Sequence, residues 1–182
     1  LENYIYGLTN SSDILVVNGI DYSNATYIPE MQAFYNSSAC FGNHNVDVWD
    51  LFGNQGYNYG ANSSFQNVHL FNRDIPNSVL DLYDKVIWIG NNFSGDLAFF
   101  NPAQVIDYVQ NGGNFLLATR LGSNFFNTEL RNYCGILSFT GDLQVTDLVS
   151  LDTSLITMPS IGTNNLVHLV SFNANSEARP IF

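Results

Sequence analysis

The sequence is short of positive charge. It holds 5 lysines and arginines against 16 aspartates and glutamates, a net charge of -11 at pH 7, and Lys85 is its only lysine. Phosphate recognition needs clustered Lys and Arg, so nucleic acid is not an expected partner. The same field repels anionic membranes, and its ordinary use is solubility. No run of 18 apolar residues occurs, which excludes a helical span and membrane insertion. Glycine-rich phosphate loops are missing too: "NGIDYSN", after the first apolar run, has one glycine where dinucleotide binders need three. His44, His69 and His168 are scattered and lack the i, i+4 pairing of a zinc helix. No metal and no cofactor are therefore expected.

What is present is a globular composition, 46% hydrophobic and 14% aromatic over 182 residues, which fits a single domain, residues 1–182. The chain opens "LENYIYG", without an initiator Met or a signal-peptide pattern, and reads as a piece excised from a longer protein. Asn10, Asn24, Asn36, Asn62 and Asn92 each begin an Asn-x-Ser/Thr tripeptide, a glycan acceptor in a secretory protein. So Asn-rich a chain produces several by chance. The composition suits an extracellular or cell-surface setting.

Apolar periodicity alternates between strand-like and helix-like blocks. "DILVVNGID" is a short β-branched run, a strand buried on both faces. "ATYIPEMQAFYNSSACFG" sets Ile28, Met31, Phe34 and Tyr35 at helical spacing, with Gly42 as the stop. "VDVWDLF" alternates as a second strand and places Asp47 and Asp50 on opposite faces. "GNQGYNYGANSSFQN" follows as a long polar loop, whose Tyr57, Tyr59 and Phe65 could stack on sugars or pack on the loop itself. "IPNSVLDLYD" returns to helical spacing through Val79, Leu80 and Tyr83, and "KVIWIG" is a third strand. "NPAQVIDYVQNGG" is the clearest helix, with Asn101 as N-cap, Pro102 at the first position and Gly112 as the stop. "NFLLAT" is a fourth strand, and "NFFNTELRNYCG" is a candidate helix ended by Gly135. "ILSFTG", "LQVTDLVSL", "NLVHLVSF" and "RPIF" look like short C-terminal strands over residues 136–182.

This order predicts an α/β fold: a three-layer, Rossmann-like parallel sheet of order 2-1-3-4 with additional C-terminal strands. Cys40 and Cys134 would end helices on opposite faces, too far apart for a disulfide. Two free, mostly buried thiols are expected.

"DILVVNGID", "DLYDKVIWIG" and above all "VIDYVQNGGNFLLATR" resemble class I glutamine amidotransferase-like domains of the flavodoxin-like type, over about residues 13–135. Such domains occur as modules of large secreted bacterial proteins, and similar folds appear as non-catalytic accessory domains of some glycoside hydrolases. The resemblance implies a nucleophilic cysteine on the turn after the fourth strand. Thr119, Arg120 and Leu121 stand there, and none is a thiol. It also implies a later catalytic histidine, for which His168 is the candidate, and an oxyanion turn at Gly90-Asn91. The family's amide hydrolysis is therefore not expected, and no residue is assigned a catalytic role.

Other nucleophiles fare no better. Ser123 in "LGSNF" lacks the flanking glycines of a nucleophile elbow and reads as a helix N-cap. What remains is a polar rim at the strand tips, where open α/β sheets bind ligands: Asn18, Asp21, Asn91, Asn92 and Arg120. Arg120 could hold a ligand carboxylate, or pair with Asp21 and close the crevice. The expectation is a non-catalytic, interacting or structural module joined to other domains of a larger parent. The alternatives are a module for carbohydrate or another small polar ligand, and a hydrolase with an unrecognised nucleophile.

Overall fold

The computed structural model describes residues 12–23, 28–37, 40–54, 59, 63–70, 74–91, 95–143 and 169–176. The chain divides into two compact units, residues 1–125 and 126–182.

In the first unit, β1 (Ile14–Gly19), β2 (Val46–Asp50), β3 (Phe65–Leu70), β4 (Lys85–Asn91) and β5 (Asn114–Arg120) form a parallel sheet of order β3-β2-β1-β4-β5. The helices are α1 (Ile28–Asn36), the single turn α2 (Asn77–Leu80) and α3 (Pro102–Gln110). The four expected strands stand in the expected succession, as β2-β1-β4-β5. An α/β fold with a parallel sheet is thus present. The addition is β3, an edge strand inside and just beyond the stretch expected to be loop.

Each element follows from its residues. Every residue of β1 is buried, because a central parallel strand is covered on both faces and an Ile-Leu-Val-Val run tolerates that. Burying each such side chain stabilises by about 1.5–3 kcal/mol. The Asn101 side chain accepts from Ala103 N–H and Gln104 N–H at 3.1 and 3.4 Å, starting α3. At its far end Gly112 has φ +98°, with Gly113 N–H bonded to Tyr108 O at 3.1 Å and Gly112 N–H to Val109 O at 3.0 Å. That is a Schellman stop, which an αL glycine makes accessible. Gly113 is needed for a different reason: a Cβ there would run into the Tyr108 ring. The "NGG" of the resemblance is therefore a packing device. α1 is shorter than expected and ends six residues before Gly42.

One face of the sheet packs Ile14, Val16, Val46 and Val48 against Tyr35, Phe41 and Tyr59. The Tyr35 and Tyr59 rings meet edge-on at 5.5 Å, and Tyr59 meets Phe65 at 6.0 Å. Tyr59 and Phe65 thus serve the core, and Tyr57 lies outside the described residues. On the other face, Trp88, Phe100 and Phe125 form an edge-to-face chain at 5.1 and 5.0 Å.

The second unit holds α4 (Thr128–Tyr133) and an antiparallel pair, β6 (Ile136–Leu143) with β7 (Leu169–Ala174). Asn127 caps α4 by accepting from Leu130 N–H at 2.8 Å, and Gly135 ends it at φ +69°. Ser123 sits instead in the 3-10 turn Gly122–Phe125, which corrects its assignment as N-cap. The Arg131 guanidinium lies 5.6 Å from the centre of the Phe139 ring and donates to Leu137 O at 2.6 Å. His168, the expected strand "RPIF" and most of "LQVTDLVSL" fall outside the described residues. Among the described residues no helix is long and apolar enough to cross a membrane.

Candidate functional site

Strand order reverses between β1 and β4, and the crevice beyond their C-terminal tips is where a sheet of this kind receives ligands. β1 ends there in Gly19, in register with Gly90, the last residue but one of β4. The space the two glycines leave is taken by Asp96, which the 3-10 turn Asp96–Phe99 delivers after β4. A Cβ at Gly19 would stand 2.8 Å from Asp96 Oδ2; one at Gly90 would stand 2.5 Å from it and 2.7 Å from Thr119 Oγ1. Asp96 is 0% exposed, and its Oδ2 accepts from Trp88 Nε1 at 3.3 Å. The chain's own carboxylate occupies the crevice.

On the opposite face of the same tips lies a second polar group. Asp50 ends β2 and is fully buried. Its carboxylate accepts from Tyr59 OH at 2.6 Å, Asn54 Nδ2 at 2.8 and 3.0 Å, Phe52 N–H at 3.0 Å and Asn18 Nδ2 at 3.3 Å. Asn18 also donates to Ile20 O at 3.2 Å, and its Oδ1 accepts from Tyr35 OH at 3.0 Å. A carboxylate with this many donors is held without a cation, since charge-assisted hydrogen bonds replace its lost hydration.

The five expected rim residues are distributed as follows. Asn18 is wholly buried and committed to this network rather than lining a rim. Asp21 is half-buried and accepts from Ser23 N–H and Oγ at 2.8 and 2.7 Å, a local Asx turn. Asn91 is the last residue of β4, in register with Arg120 at the end of β5, and the Arg120 side chain is exposed. Asn92 lies outside the described residues. β4 separates β1, which Asp21 follows, from β5, which ends in Arg120, by about two spacings of ~4.8 Å.

Asp96 and Asn54 are the residues sequence reasoning missed; Asp50 and Tyr59 it named, but not as partners of each other or of Asn18. One signal was available for Asp96, a lone acid inside "SGDLAFF" directly after a strand. The cysteines are free thiols, as expected, but Cys134 is exposed and Cys40 only half-buried, a correction to the buried pair anticipated. Partial burial raises the pKa of both thiols, which disfavours the thiolate a nucleophile needs.

A third buried acid, Asp47, faces away from Asp50, as the strand period requires. It accepts from Tyr83 OH at 2.7 Å, Ser12 Oγ at 2.8 Å and Asn67 Nδ2 and N–H at 2.9 and 3.1 Å. Tyr83 O in turn accepts from Tyr108 OH at 2.8 Å. Burial, reinforced by Asp50, pushes Tyr59 far above the ordinary phenol range. Burial, then the bond to Asp47, does the same to Tyr83. Burial pushes Tyr108 up to about 12. Below the unfolded phenol value of ~10 these protonated tyrosines contribute their full stability. It is lost as pH rises from there toward 12 and beyond, by about 1.4 kcal/mol per pH unit for each. A titration at 295 nm is expected to show three of the ten tyrosines ionising only as circular dichroism reports unfolding. Ordinary ionisation of all of them near pH 10 in folded protein would contradict this reading.

At the opposite, N-terminal end of the sheet a cleft of ≈ 340 Å³ is lined by Asp81, Asp84, Tyr83, Tyr108 and the Asn111–Gly113 turn. Among the described residues no group of three or more His, Cys, Asp or Glu side chains is placed to hold a metal. Compared with protein-family models, curated proteins and solved structures, the chain finds no match.

Proposed function

We propose that this chain is a non-catalytic module of the flavodoxin-like, glutamine amidotransferase-like type, serving a structural or interaction role in a secreted or cell-surface protein. Its partners are then other domains of a larger parent polypeptide. The β2-β1-β4-β5 succession supports the fold type, and Thr119-Arg120-Leu121, which close β5 and begin the turn beyond it, supply no thiol. The observation that carries the reading is Asp96. A working pocket keeps its crevice for the ligand, whereas here a buried side chain of the chain itself fills it. The Asn18–Asp50 group supports the same view, because polar atoms already bonded internally gain little from a ligand.

The test is a pair of measurements on the intact chain. Ammonia release from glutamine is expected at the buffer rate. The melting temperature is expected to stay fixed across a panel of oligosaccharides and small carboxylic acids. Turnover above background would restore the hydrolase reading. A saturable melting shift abolished by Arg120→Ala would establish the ligand-binding one, with Asp21, Asn91, Asn92 and Arg120 as its rim.

A further inference from the structure

We infer that β5 is a self-association strand: two copies of the chain pair antiparallel along it, about a two-fold axis through Leu117. Nothing in this depends on the strand-tip crevice.

β5 ends the sheet, and among the described residues no strand pairs with its outer edge. Leu116 on this strand is 57% exposed, and Asn114, Ala118 and Arg120 are exposed with it. Proteins guard such edges with bulges, prolines, lysines or inward charges, because a free row of N–H and C=O groups templates another strand. The other edge of this sheet is guarded. The β3 register shifts between Val46 and Asp47, and Asn67 is fixed to the Asp47 carboxylate by two bonds. β5 has no such device. Its pairing with β4 runs unbroken from Lys85↔Asn114 to Asn91↔Arg120, and "NFLLATR" contains no proline, glycine or lysine.

The occupant follows from the pattern of the strand itself. Antiparallel pairing centred on Leu117 sets Leu116 against Ala118, Phe115 against Thr119 and Asn114 against Arg120. Opposed residues share a face, so the exposed Leu116 side chains of the two copies become diagonal neighbours and cover each other. Charge decides direction. In-register parallel pairing would stack Arg120 on Arg120. The antiparallel arrangement carries each Arg120 to the far end of the other copy's strand, opposite Asn114. There, Asn114 N–H and Nδ2 both donate to Asp84 O, at 3.0 and 3.1 Å. Asp84 and Asp81 line the ≈ 340 Å³ cleft at that end, with Lys85 the one cation on the adjoining strand. The arriving guanidinium comes within about two strand spacings, ~10 Å between backbones, which an arginine side chain largely spans. The two-fold makes the contact twice.

Sedimentation equilibrium of the full chain from about 1 to 200 µM, the range of a modest interface, tests this. A monomer–dimer equilibrium is expected. Leu116→Lys is expected to weaken it at least tenfold with an unchanged melting temperature, because the side chain is exposed in the monomer. Arg120→Glu should weaken it similarly, and Arg120→Glu with Asp84→Arg should recover most of the loss. Arg120→Glu carries the comparison should the lysine variant fold poorly. A wild-type chain monomeric to the top of the range overturns the inference. So does a dimer indifferent to both Leu116→Lys and Arg120→Glu.

Discussion

Asp96→Ala is expected to lower the unfolding free energy by about 3 kcal/mol, roughly 6–12 °C in melting temperature for a domain of this size. The change empties the space between Gly19, Gly90 and Thr119, where backbone glycines cannot close in to fill it. Cavity terms of this kind reach ~2 kcal/mol or more. It also removes the acceptor of the buried Trp88 indole N–H, worth a further ~1–3 kcal/mol if left unsatisfied. Working against these is relief from a desolvated carboxylate, which brings the sum down. The sign is what matters. A carboxylate held ready for a substrate is stored strain, and removing such groups commonly stabilises the fold at the expense of function. A carboxylate that serves as filling does the opposite. Asp96→Asn keeps the shape and one oxygen facing Trp88, so its loss should be about half as large. A rise in melting temperature with Asp96→Ala, measured by calorimetry, would count against the non-catalytic reading.

The sheet was legible where side-chain pattern and burial coincide. β1 and β4 sit between other strands, so their apolar runs announce them. α3 carries its own start and stop in Asn101-Pro102 and Gly112. β3 was not legible, because an edge strand is only half-buried and polar residues are tolerated on it. Asn67, which breaks the apolar pattern, is satisfied by Asp47, a residue 20 positions earlier. The candidate site failed to show for the same reason on a longer range. Asn18 reads locally as a polar strand tip facing solvent. What buries it is Asp50, 32 residues away, together with Tyr35 and Tyr59 from elements the period alone does not bring there. Polar residues declare their type in a sequence but not their partner. A buried network and an exposed rim therefore look alike until the strands are in register.

The network around Asp50 sets the largest single effect expected in this chain. Asp50→Ala strips the acceptor from four donors at once: Tyr59 OH, Asn54 Nδ2, Asn18 Nδ2 and the Phe52 N–H. Asn54 retains its bond to Ile20 O at 2.8 Å and Asn18 its bond to the same oxygen, so those two are not wholly abandoned. Tyr59 is 3% exposed, so water has little access to its hydroxyl. Counting ~1–3 kcal/mol for each donor left dry, and allowing for partial relaxation, the loss is about 4 kcal/mol or more. That lies in the range where folding itself is at stake for a domain of ordinary stability. Asp50→Asn should lose about 2 kcal/mol, because its amide nitrogen must turn toward a group that is itself a donor. Tyr59→Phe should lose about 1–2 kcal/mol, since it removes one donor and leaves the carboxylate its other partners. A double-mutant cycle between Asp50→Asn and Tyr59→Phe, read from urea unfolding, should give a coupling above ~1 kcal/mol. Additive losses would mean that the 2.6 Å bond does not tie the β2 tip to the loop beyond it. The Asp50 carboxylate would then be held by Asn18, Asn54 and the Phe52 N–H.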